Sequence, residues 1–411
     1  MRITYLHQYF NTINMSGGTR SYEMSRRLVA MGHKVNLITS WREDDGRKDW
    51  FTTEESGVQV HWLPVEYSNN MSYKERVQAF LRFALGSSAR AASVPADLVF
   101  ATSTPLTIAI PAVYAARCQS IPMVFEVRDL WPELPIAIGA IKSPIAKFLA
   151  KSLEGFAYSQ SQSIIALSPG MRDGVVSSGY PSDKVYVIPN SADLDRFFPD
   201  QVARSRFRRK YGIAEDKILI VYTGTFGRIN GVDYLVRLAE RLKGNAKAYF
   251  LMVGEGQQRN YVLDLANETN CLGCNVSILP PLPKSEIPDV LAAADIATSL
   301  FLPIPEMESN SANKFFDGLA AGCCMAINYG GWQADLLSSH GAGLQLSRNI
   351  EEASNQLKDL LNNPDWIVDS GYRARKLAEK MFSRDQLAQK LEQVLASTYE
   401  RSRTKVGLIL S

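Results

Sequence analysis

The amino-acid sequence predicts an α/β protein built from two doubly wound, mainly parallel sheets. Short apolar runs typical of buried strands alternate with segments of helical periodicity from Arg2 onward. The same alternation restarts at residues 218–222, after a loop at 190–204. With 411 residues, of which 46% are hydrophobic, the chain can fill two cores of ordinary domain size.

In the first half, Arg2–Leu6 is the first predicted strand, and a polar loop ending in Gly17-Gly18 follows it. Residues 22–31 have apolar side chains at helical spacing, which predicts a helix that ends at Gly32. The next strand is predicted at 35–39. Later apolar runs predict further strands of the same sheet, at 98–101, 123–127, 164–167 and 185–188.

The second half repeats the pattern with a strand at 218–222, a helix at 231–242 and a strand at 248–253. Further strands are predicted at 276–279, 296–299 and 325–328. We place the domain boundary near Pro199, which gives an N-terminal domain at 1–199 and a C-terminal domain at 200–385. Residues 386–411 are predicted to form a helix that crosses towards the N-terminal domain and packs on it.

Composition and charge argue against several classes of protein. A formal net charge of +3 does not suit a nucleic-acid binder that relies on a basic surface. The five cysteines, with one C-x-x-C at Cys271 and Cys274, suggest neither a disulfide scaffold nor a zinc site. Residues 1–16 do not resemble a secretory signal, and no apolar run reaches ~20 residues. We therefore expect a cytoplasmic protein.

A doubly wound sheet is also typical of NAD-dependent enzymes, whose fingerprint is G-x-G-x-x-G after the first strand. The first loop offers only Gly17-Gly18 and lacks that spacing. The turn Gly254-Glu255-Gly256 has one G-x-G, but Arg259 stands where the third glycine belongs. The sequence therefore gives little support to a dehydrogenase.

The segment 310–322, with the sequence NSANKFFDGLAAG, resembles the start of the donor-binding helix of glycosyltransferase family 4. Other pieces of that family occur in the expected order: Gly17-Gly18, Val187-Ile188-Pro189-Asn190, the turn 223–231, and Val253-Gly254-Glu255-Gly256. The resemblance covers nearly the whole chain. It implies the GT-B fold, in which two Rossmann-like domains face a cleft that binds a nucleotide-sugar donor and an acceptor.

Residues 5–10, 16–23 and 129–133 make the chain similar to bacterial surface-polysaccharide transferases, such as the N-acetyl-L-fucosamine transferases of O-antigen assembly. This similarity implies a UDP-sugar donor and a polyprenyl-diphosphate-linked glycan as acceptor. It also implies a peripheral position on the inner face of the plasma membrane. The family resemblance further implies a retaining reaction without a metal ion or other cofactor.

The chain departs from the family pattern at two places. The family commonly has two glutamates eight positions apart, and here Asp317 takes the second place and Ser309 the first. Glu308 and Glu306 lie close to Ser309 in the sequence, and the choice between them stays open. The family often has an arginine followed five residues later by a lysine in the turn 223–231, whereas here Arg228 is its one cation and Asn230 occupies the lysine place.

Negative charge builds on the diphosphate of a sugar nucleotide as the glycosidic bond breaks, and fixed cations and a helix N-terminus can stabilise it. We therefore predict that Arg228 and Lys314 hold the diphosphate. The resemblance to the family implies that the Asp317 carboxylate accepts hydrogen bonds from the ribose hydroxyls. The alternatives are that Asn310-Ser311 is a simple helix cap, and that Lys314 is solvated or pairs with Asp317. The full prediction for the donor site is Gly17, Gly18, Arg228, Gly254, Gly256, Asn310, Ser311, Asn313, Lys314 and Asp317.

The predicted catalytic residues are Asp129, Glu308, Arg228 and Lys314, and no metal ligands are predicted. Asp129 follows the strand at 123–127, where Glu126 and Arg128 also lie. Many related enzymes have a histidine where Arg128 stands. The alternative for Arg128 is an ordinary ion pair with Glu126 or Asp129. His7, after the first strand, is a further candidate.

Two basic amphipathic segments, 73–90 and 142–151, predict contact with an anionic membrane surface. Residues 67–151 have nine Lys/Arg and five Asp/Glu, so their charge is 9 − 5 = +4, against +3 for the whole chain. Val77, Phe80, Leu81, Ala84 and Leu85 fall on one helical face, and Ile145, Phe148 and Leu149 on another. The alternative is that each helix packs this face on its own core.

Two other functions fit the same sequence. A GT-B sugar-nucleotide epimerase would act on the donor alone. A catalytically silent nucleotide-sugar-binding protein would explain why Ser309 replaces a glutamate.

Overall fold

The computed structural model describes residues 1–13, 15, 17–68 and 71–410, with side chains except at Tyr73 and 405–410. Ser16, the first residue of the motif at 16–23, lies outside the described residues. The chain divides into two compact units. Unit 1 comprises Met1–Pro189 and Asp385–Ser411, and unit 2 comprises Asn190–Arg384.

Unit 1 contains an eight-stranded sheet in the order β3-β4-β2-β1-β5-β6-β7-β8. Its pairs are parallel except for β3 with β4. The strands are β1 (Arg2–Leu6), β2 (Lys34–Trp41), β3 (Phe51–Glu55), β4 (Val58–Pro64), β5 (Leu98–Thr102), β6 (Met123–Val127), β7 (Ser163–Ala166) and β8 (Val185–Val187).

The β3–β4 hairpin has no counterpart in the sequence-based prediction. Ser56 and Gly57 connect the two strands with φ angles of 52° and 82°, which suits the tight turn of a hairpin. The available sequence signals were the turn pair Ser56-Gly57 and the alternation of apolar and polar residues at 58–60.

The helices of unit 1 are α1 (Arg20–Ala30), α2 (Tyr73–Ser93), α3 (Ala109–Gln119), α4 (Glu133–Ala137), α5 (Pro144–Ser159), α6 (Pro169–Ser177) and α15 (Arg384–Leu410, in unit 1 from Asp385). The last of these confirms the predicted C-terminal helix. Leu387, Leu391 and Leu395 are buried in one cluster with Ile3 and Val35, because their spacing puts them on one face of α15.

Unit 2 contains a six-stranded sheet in the order β11-β10-β9-β12-β13-β14, and its paired strands are parallel. The strands are β9 (Ile218–Thr223), β10 (Ala248–Val253), β11 (Val276–Leu279), β12 (Ile296–Ser299), β13 (Cys324–Ile327) and β14 (Gly343–Gln345). The helices are α7 (Gln201–Lys210), α8 (Asp233–Arg241), α9 (Arg259–Glu268), α10 (Ile287–Ala293), α11 (Asn313–Ala320), α12 (Trp332–His340), α13 (Ile350–Leu361) and α14 (Pro364–Met381). The predicted α/β class with two doubly wound parallel sheets is confirmed.

The division between the units falls after Pro189, ahead of the boundary predicted near Pro199. Side-chain contacts account for the difference, because residues 190–199 are held within unit 2. The Nε atom of Arg384 donates to Asp193 at 2.8 Å, and Arg375 donates to the carbonyl oxygen of Phe197 at 2.6 Å.

Candidate active site

The N-terminus of α11 lies after the loop 300–312, at the carboxyl end of β12. The helix begins at Asn313, within the segment 310–313 where the sequence placed its start. Its N-cap residue is Ala312, and no side chain caps the first turn. The unpaired N–H groups and the helix dipole therefore leave this end suited to an anion.

Lys314 lies in the first turn of α11, and its side chain is only partly exposed. Its Nζ atom donates to the Tyr222 hydroxyl at 2.9 Å and lies 4.4 Å from the centroid of that ring. The Tyr222 hydroxyl in turn donates to the carbonyl oxygen of Thr225 at 2.8 Å. No carboxylate pairs with Lys314 among the described residues, so burial lowers the pKa of its ammonium to about 7.

Asp317 does not form the local ion pair with Lys314 that the sequence left open, since none joins these two described side chains. Burial raises the pKa of its carboxyl to about 7, and the charge of Arg384 opposes that rise. Arg384 itself is buried and pairs with Asp193 at 2.8 Å. Lys314 and Asp317, neither with an ion-pair partner in the part of the chain that the structure describes, thus lie one turn apart on α11.

Gly254 and Gly256 form the turn after β10, and the turn after β9 explains why they are glycines. A Cβ atom on Gly254 would lie 1.9 Å from the carbonyl oxygen of Gly224, and one on Gly256 would lie 2.6 Å from that of Phe226. Backbone hydrogen bonds join the turns, with Phe226 N donating to Glu255 O at 2.8 Å. Gly254 and Gly256 thus lack side chains where two backbone turns approach closely. Their contact with a donor stays a prediction.

Arg228 begins a short 3-10 helix, Arg228–Asn230, in the turn after β9. Its side chain is exposed, and within the described part of the chain it has no ion-pair partner. Asn230, in the place of the family's lysine, is 8% exposed. The turn therefore has one cation available to a ligand, as the sequence predicted. A lysine at position 230 would start from a buried residue position.

Asn310 and Ser311 are buried in the loop before α11. The backbone N–H of Asn190 donates to Ser311 Oγ at 3.0 Å, and the Ala312 N–H donates to Asn310 Oδ1 at 3.0 Å. The indole of Trp332 donates to the Asn310 carbonyl oxygen at 2.8 Å. These side chains shape the loop, and neither is the helix cap that the sequence left as an alternative.

Glu308 and Glu306 lie in a 3-10 helix, Pro305–Ser309, and differ in their surroundings. Glu308 pairs with Arg348 at 3.3 Å on the surface, where the two side chains are 43% and 44% exposed. Glu306 Oε2 is buried with no hydrogen-bond partner among the described residues. Of the two carboxylates that could replace the family's first glutamate, Glu306 is the one without an ion pair.

In unit 1, Gly17 and Gly18 precede α1, and Asn11 holds their loop. Gly17 has φ +119°, and a Cβ atom there would lie 2.7 Å from Asn11 Nδ2. That same nitrogen donates to the Gly18 carbonyl oxygen at 3.1 Å. Glycine at position 17 thus meets both a backbone and a packing requirement.

Arg128 forms no ion pair with Glu126 or Asp129, so the ordinary ion pair considered for it from the sequence is wrong. Its Nη1 atom instead donates to His7 Nε2 at 3.3 Å. Because a guanidinium can only donate, Nε2 accepts, and Nδ1 carries the proton towards Ser21 Oγ at 2.6 Å. Burial, with Arg128 and Arg42 nearby, holds the pKa of His7 well below its usual value, so its imidazole is neutral.

Asp129 lies after β6 with a partly exposed side chain. Its Oδ2 atom accepts a hydrogen bond from Thr104 Oγ1 at 3.0 Å. The other oxygen has no hydrogen-bond partner in the described structure and is available to a ligand. The predicted catalytic role of Asp129 is compatible with this position and stays a prediction.

A buried ion pair joins Arg20 and Glu126, whose side chains are each 1% exposed, and it was not predicted from the sequence. Arg20 Nη1 donates to the Pro189 carbonyl oxygen at 2.7 Å, and Thr102 Oγ1 donates to Glu126 Oε2 at 3.0 Å. The pair therefore connects α1, β5, β6 and the end of the N-terminal segment of unit 1. Two residues 106 positions apart give no local sequence signal.

Among the described residues, no group of three or more His, Cys, Asp or Glu side chains is arranged to hold a metal ion. In the same part of the chain, no helix combines the length and the apolar character that crossing a bilayer requires.

Family comparisons match both units. Residues 17–191 match the family model described as the glycosyl transferase 4-like domain, and residues 203–381 match the one described as glycosyl transferases group 1. A putative colanic acid biosynthesis glycosyl transferase, WcaI of Escherichia coli K12, is 22% identical over 295 residues, or 68% of this chain and 71% of that protein.

Solved structures share the fold. Sucrose-phosphate synthase from Thermosynechococcus elongatus aligns with a TM-score of 0.77 and 16% identity, over 97% of this chain and 99% of that one. Anabaena HepE in complex with UDP-glucose aligns with a TM-score of 0.68 and 18% identity, over 97% and 100% of the two chains.

Proposed function

Because this chain belongs to the GT-B glycosyltransferases of family 4, we propose that it transfers a sugar from a UDP-sugar to a polyprenyl-diphosphate-linked glycan in bacterial surface-polysaccharide synthesis. The sugar is proposed to be an N-acetylated amino sugar such as N-acetyl-L-fucosamine. The observation that carries the donor half of this proposal is the uncapped N-terminus of α11 with Lys314 in its first turn.

The donor diphosphate fits the chemistry of this end of α11. Two phosphates can replace the missing cap by accepting from its N–H groups, while Lys314 and Arg228 supply positive charge. Anabaena HepE, which shares the fold, is known in complex with UDP-glucose, and this supports a UDP-sugar as the donor. Asp317, one turn further along, has a carboxyl suited to accepting from the ribose hydroxyls.

The proposed reaction breaks the bond between C1 of the sugar and the β-phosphate oxygen. C1 bonds to a hydroxyl oxygen of the acceptor on the same face, and the hydroxyl proton leaves to the departing diphosphate or to a carboxylate such as Asp129. Charge that develops on the β-phosphate is stabilised by Lys314, Arg228 and the helix N–H groups, which are in place before the reaction. These groups do the work that a divalent metal does in other transferases, so we propose a metal-independent reaction.

The acceptor half of the proposal draws support from the resemblance to surface-polysaccharide transferases, and from WcaI, which is named for colanic acid biosynthesis. A lipid-linked acceptor requires an enzyme that reaches the membrane surface. The helix α5 exposes Ile145, Phe148 and Leu149 at 72%, 71% and 61%. These side chains cover no core of unit 1, and the alternative that α5 packs this face internally is wrong.

The helix α2 differs from α5. It buries Ala79, Phe83 and Ala84, and of its predicted apolar face only Leu81 and Leu85 are exposed, at 43% and 68%. Lys151 of α5 also contributes less charge than its sequence position suggests, because it pairs with Glu133 and Glu154. We therefore propose that α5 provides the main apolar contact with an anionic membrane, assisted by Lys142 and Lys147.

The test is a thermal-shift screen of sugar nucleotides, followed by transfer assays with the stabilising donor in EDTA. We expect a UDP-sugar to raise Tm and transfer to a polyprenyl-diphosphate-linked glycan to continue in EDTA. Loss of transfer in EDTA with recovery on adding Mg²⁺ or Mn²⁺ would contradict metal independence. A new epimer formed without acceptor would identify an epimerase, and tight binding with no turnover across acceptors would identify a binding protein.

A further inference from the structure

Two arginines of unit 1, Arg42 and Arg128, lie near His7, and neither has a carboxylate ion-pair partner among the described residues. Arg128 reaches His7 Nε2 at 3.3 Å. Arg42 follows β2, whose end is tied to the loop after β1 because Ser40 Oγ donates to the Gln8 carbonyl oxygen at 2.7 Å. Arg42 and Arg128 therefore follow the carboxyl ends of β2 and β6, two strands of the same sheet that are separated by β1 and β5. Ligands of such sheets bind at this edge.

The nearby carboxylates of the described residues form no ion pair with either arginine, although the charge of Glu43 acts on Arg42 from a distance. Glu126 is taken by Arg20, and Asp129 is bonded to Thr104. Glu43, next to Arg42 in the sequence, is exposed and forms no ion pair with it. Within the described part of unit 1, the side chain of Arg42 donates to Asn11 Oδ1, and its Nε atom is buried without a partner.

Two partly buried guanidinium groups without counter-charges are costly in an empty site, because burial disfavours a charge that has no partner. Desolvation lowers the pKa of Arg42 accordingly. His7 adds no charge of its own to the site, because its imidazole is neutral and accepts a hydrogen bond from Arg128. Such a pair suits an anion with several oxygens, since guanidinium groups bind phosphates through paired hydrogen bonds.

An aromatic cluster borders Arg42 on the other side. The guanidinium carbon lies 6.0 Å from the centroid of the Tyr9 ring, which stands 4.6 Å from that of Tyr67. Phe80 of α2 completes the cluster, with its ring 6.0 Å from Tyr67. Leu81, the next residue of α2, is exposed. The aromatic cluster thus extends from Arg42 to α2, where Leu81 is exposed.

We propose that Arg42 and Arg128 bind a phosphate or diphosphate group of the acceptor, and that the Tyr9–Tyr67–Phe80 cluster contacts the apolar chain attached to it. This inference rests on the proposed function, which it deepens by assigning residues of unit 1 to the phosphate and to the apolar chain of the acceptor. The donor diphosphate is the other source of the same chemistry. The aromatic cluster favours the acceptor, since a nucleotide sugar has no long apolar chain.

The test uses inorganic pyrophosphate as the probe, titrated calorimetrically into the full chain in the presence of saturating UDP. We compare the wild type with Arg42→Gln, Arg128→Gln and a control, Arg117→Gln, which removes the same charge from an exposed site on α3. We expect pyrophosphate to bind the wild type and Arg117→Gln equally, and to bind each of the other two at least tenfold more weakly.

Folding is monitored through Tm without ligand. Arg42 and Arg128 have no ion pair to lose among the described residues, so we expect their glutamine variants to melt at or above the wild-type Tm. Replacing a charged residue that serves binding and not stability often stabilises a protein. Pyrophosphate should raise the Tm of the wild type but not of these variants. A lowered Tm in both variants would assign the arginines a structural role and overturn the proposal.

Equal pyrophosphate affinity in all four proteins, or no binding by the wild type, would also overturn it. A second titration starts from the protein with pyrophosphate and no UDP. Displacement of pyrophosphate when UDP is then added, with weaker UDP binding in both arginine variants, would assign the anion to the donor and refute the acceptor site. Pyrophosphate binding is measured without sugar transfer. The proposed function can therefore fail, through absence of transfer, while this site is upheld.

Discussion

The Nζ atom of Lys314 lies 2.9 Å from the hydroxyl oxygen of Tyr222, so a side-chain hydrogen bond joins the first turn of α11 to the end of β9. The same hydroxyl donates to the Thr225 carbonyl oxygen, which belongs to the turn leading to Arg228. The orientation of the lysine is therefore set by the strand end and the turn of the predicted donor site. Substitutions of Lys314 and Tyr222 can therefore separate the effect of the lysine charge on catalysis from the effect of its orientation.

The first prediction separates charge from orientation. Lys314→Ala should lose at least tenfold in kcat/KM, which corresponds to about 1.4 kcal/mol of transition-state stabilisation. Tyr222→Phe keeps the ring and the charge but removes the hydrogen bond, so its loss should be smaller. Steady-state kinetics with Lys380→Ala, an exposed lysine of α14, as control provide the comparison. Wild-type kinetics in Lys314→Ala would remove Lys314 from the donor site.

The second prediction concerns Asp317. If its carboxylate accepts the ribose hydroxyls, Asp317→Asn should weaken UDP itself, measured by calorimetry. The same variant should be more stable than the wild type at pH 8, because the folded-state pKa of about 7 lies above the unfolded value and ionisation is disfavoured in the fold. Asp335→Asn, at an exposed site on α12, is the control. Unchanged UDP affinity would leave Asp317 with a structural role only.

The third prediction is a bell-shaped pH dependence of UDP-sugar affinity with its maximum near pH 7. The diphosphate favours protonated Lys314, so affinity falls as pH rises above the free-state pKa of about 7. The ribose favours ionised Asp317, so affinity falls as pH drops below about 7. A UDP-sugar is used because its phosphates are diesters and do not titrate in this range.

The variants assign the two limbs of that profile. Lys314→Met should remove the alkaline limb, and Asp317→Asn should remove the acid limb, each leaving the other in place. A flat profile in the wild type from pH 5.5 to 8.5 would exclude titration of either group during binding.

The fourth prediction concerns the buried pair in unit 1. Arg20→Met leaves Glu126 without its charge partner in a site that is 1% exposed, so the free energy of unfolding should fall by about 3–5 kcal/mol. Arg26→Met is the control, because Arg26 pairs with Glu23 on the same helix from a side chain that is 37% exposed. Denaturant unfolding gives both values. Equal decreases in the free energy of unfolding in the two variants would show that the buried pair stabilises the fold no more than the exposed pair does.

The fifth prediction concerns the membrane. Phe148→Ser should reduce flotation with anionic vesicles, because this side chain is 71% exposed beside Lys147. Val202→Ser in unit 2, where the valine is 74% exposed, is the matched control. High salt should weaken wild-type flotation, since each basic residue contributes about 1 kcal/mol near anionic headgroups. An active wild-type enzyme that floats with neither anionic nor neutral vesicles would remove the membrane proposal.

Local patterns predicted the fold class well. Strand and helix periodicities depend on near neighbours along the chain, and they predicted both parallel sheets. The start of α11 was predicted from the family resemblance of residues 310–322. The same patterns did not reveal which side of an amphipathic helix is covered. On α5, Ile145, Phe148 and Leu149 have the spacing of a core face, yet they are exposed.

The candidate site was only partly predictable for the same reason. The sequence identified Arg228, Lys314 and Asp317 as charged residues of the donor-site motifs, and it located Gly254 and Gly256 in a turn. It gave no sign that Glu126 pairs with Arg20 and thereby leaves Arg128 free to reach His7. Partners that lie more than a hundred positions apart become neighbours only when the sheet brings their strands together.

The sequence by itself thus determined the two α/β units and the residue types at their strand ends, because these follow from periodicity and local turn chemistry. Tertiary structure decided which charges are neutralised and which remain available to a ligand. It paired Glu308 with Arg348 and left Lys314, Arg42 and Arg128 without carboxylate partners among the described residues. Whether a charge is compensated depends on distance and burial, and both arise only when the chain folds.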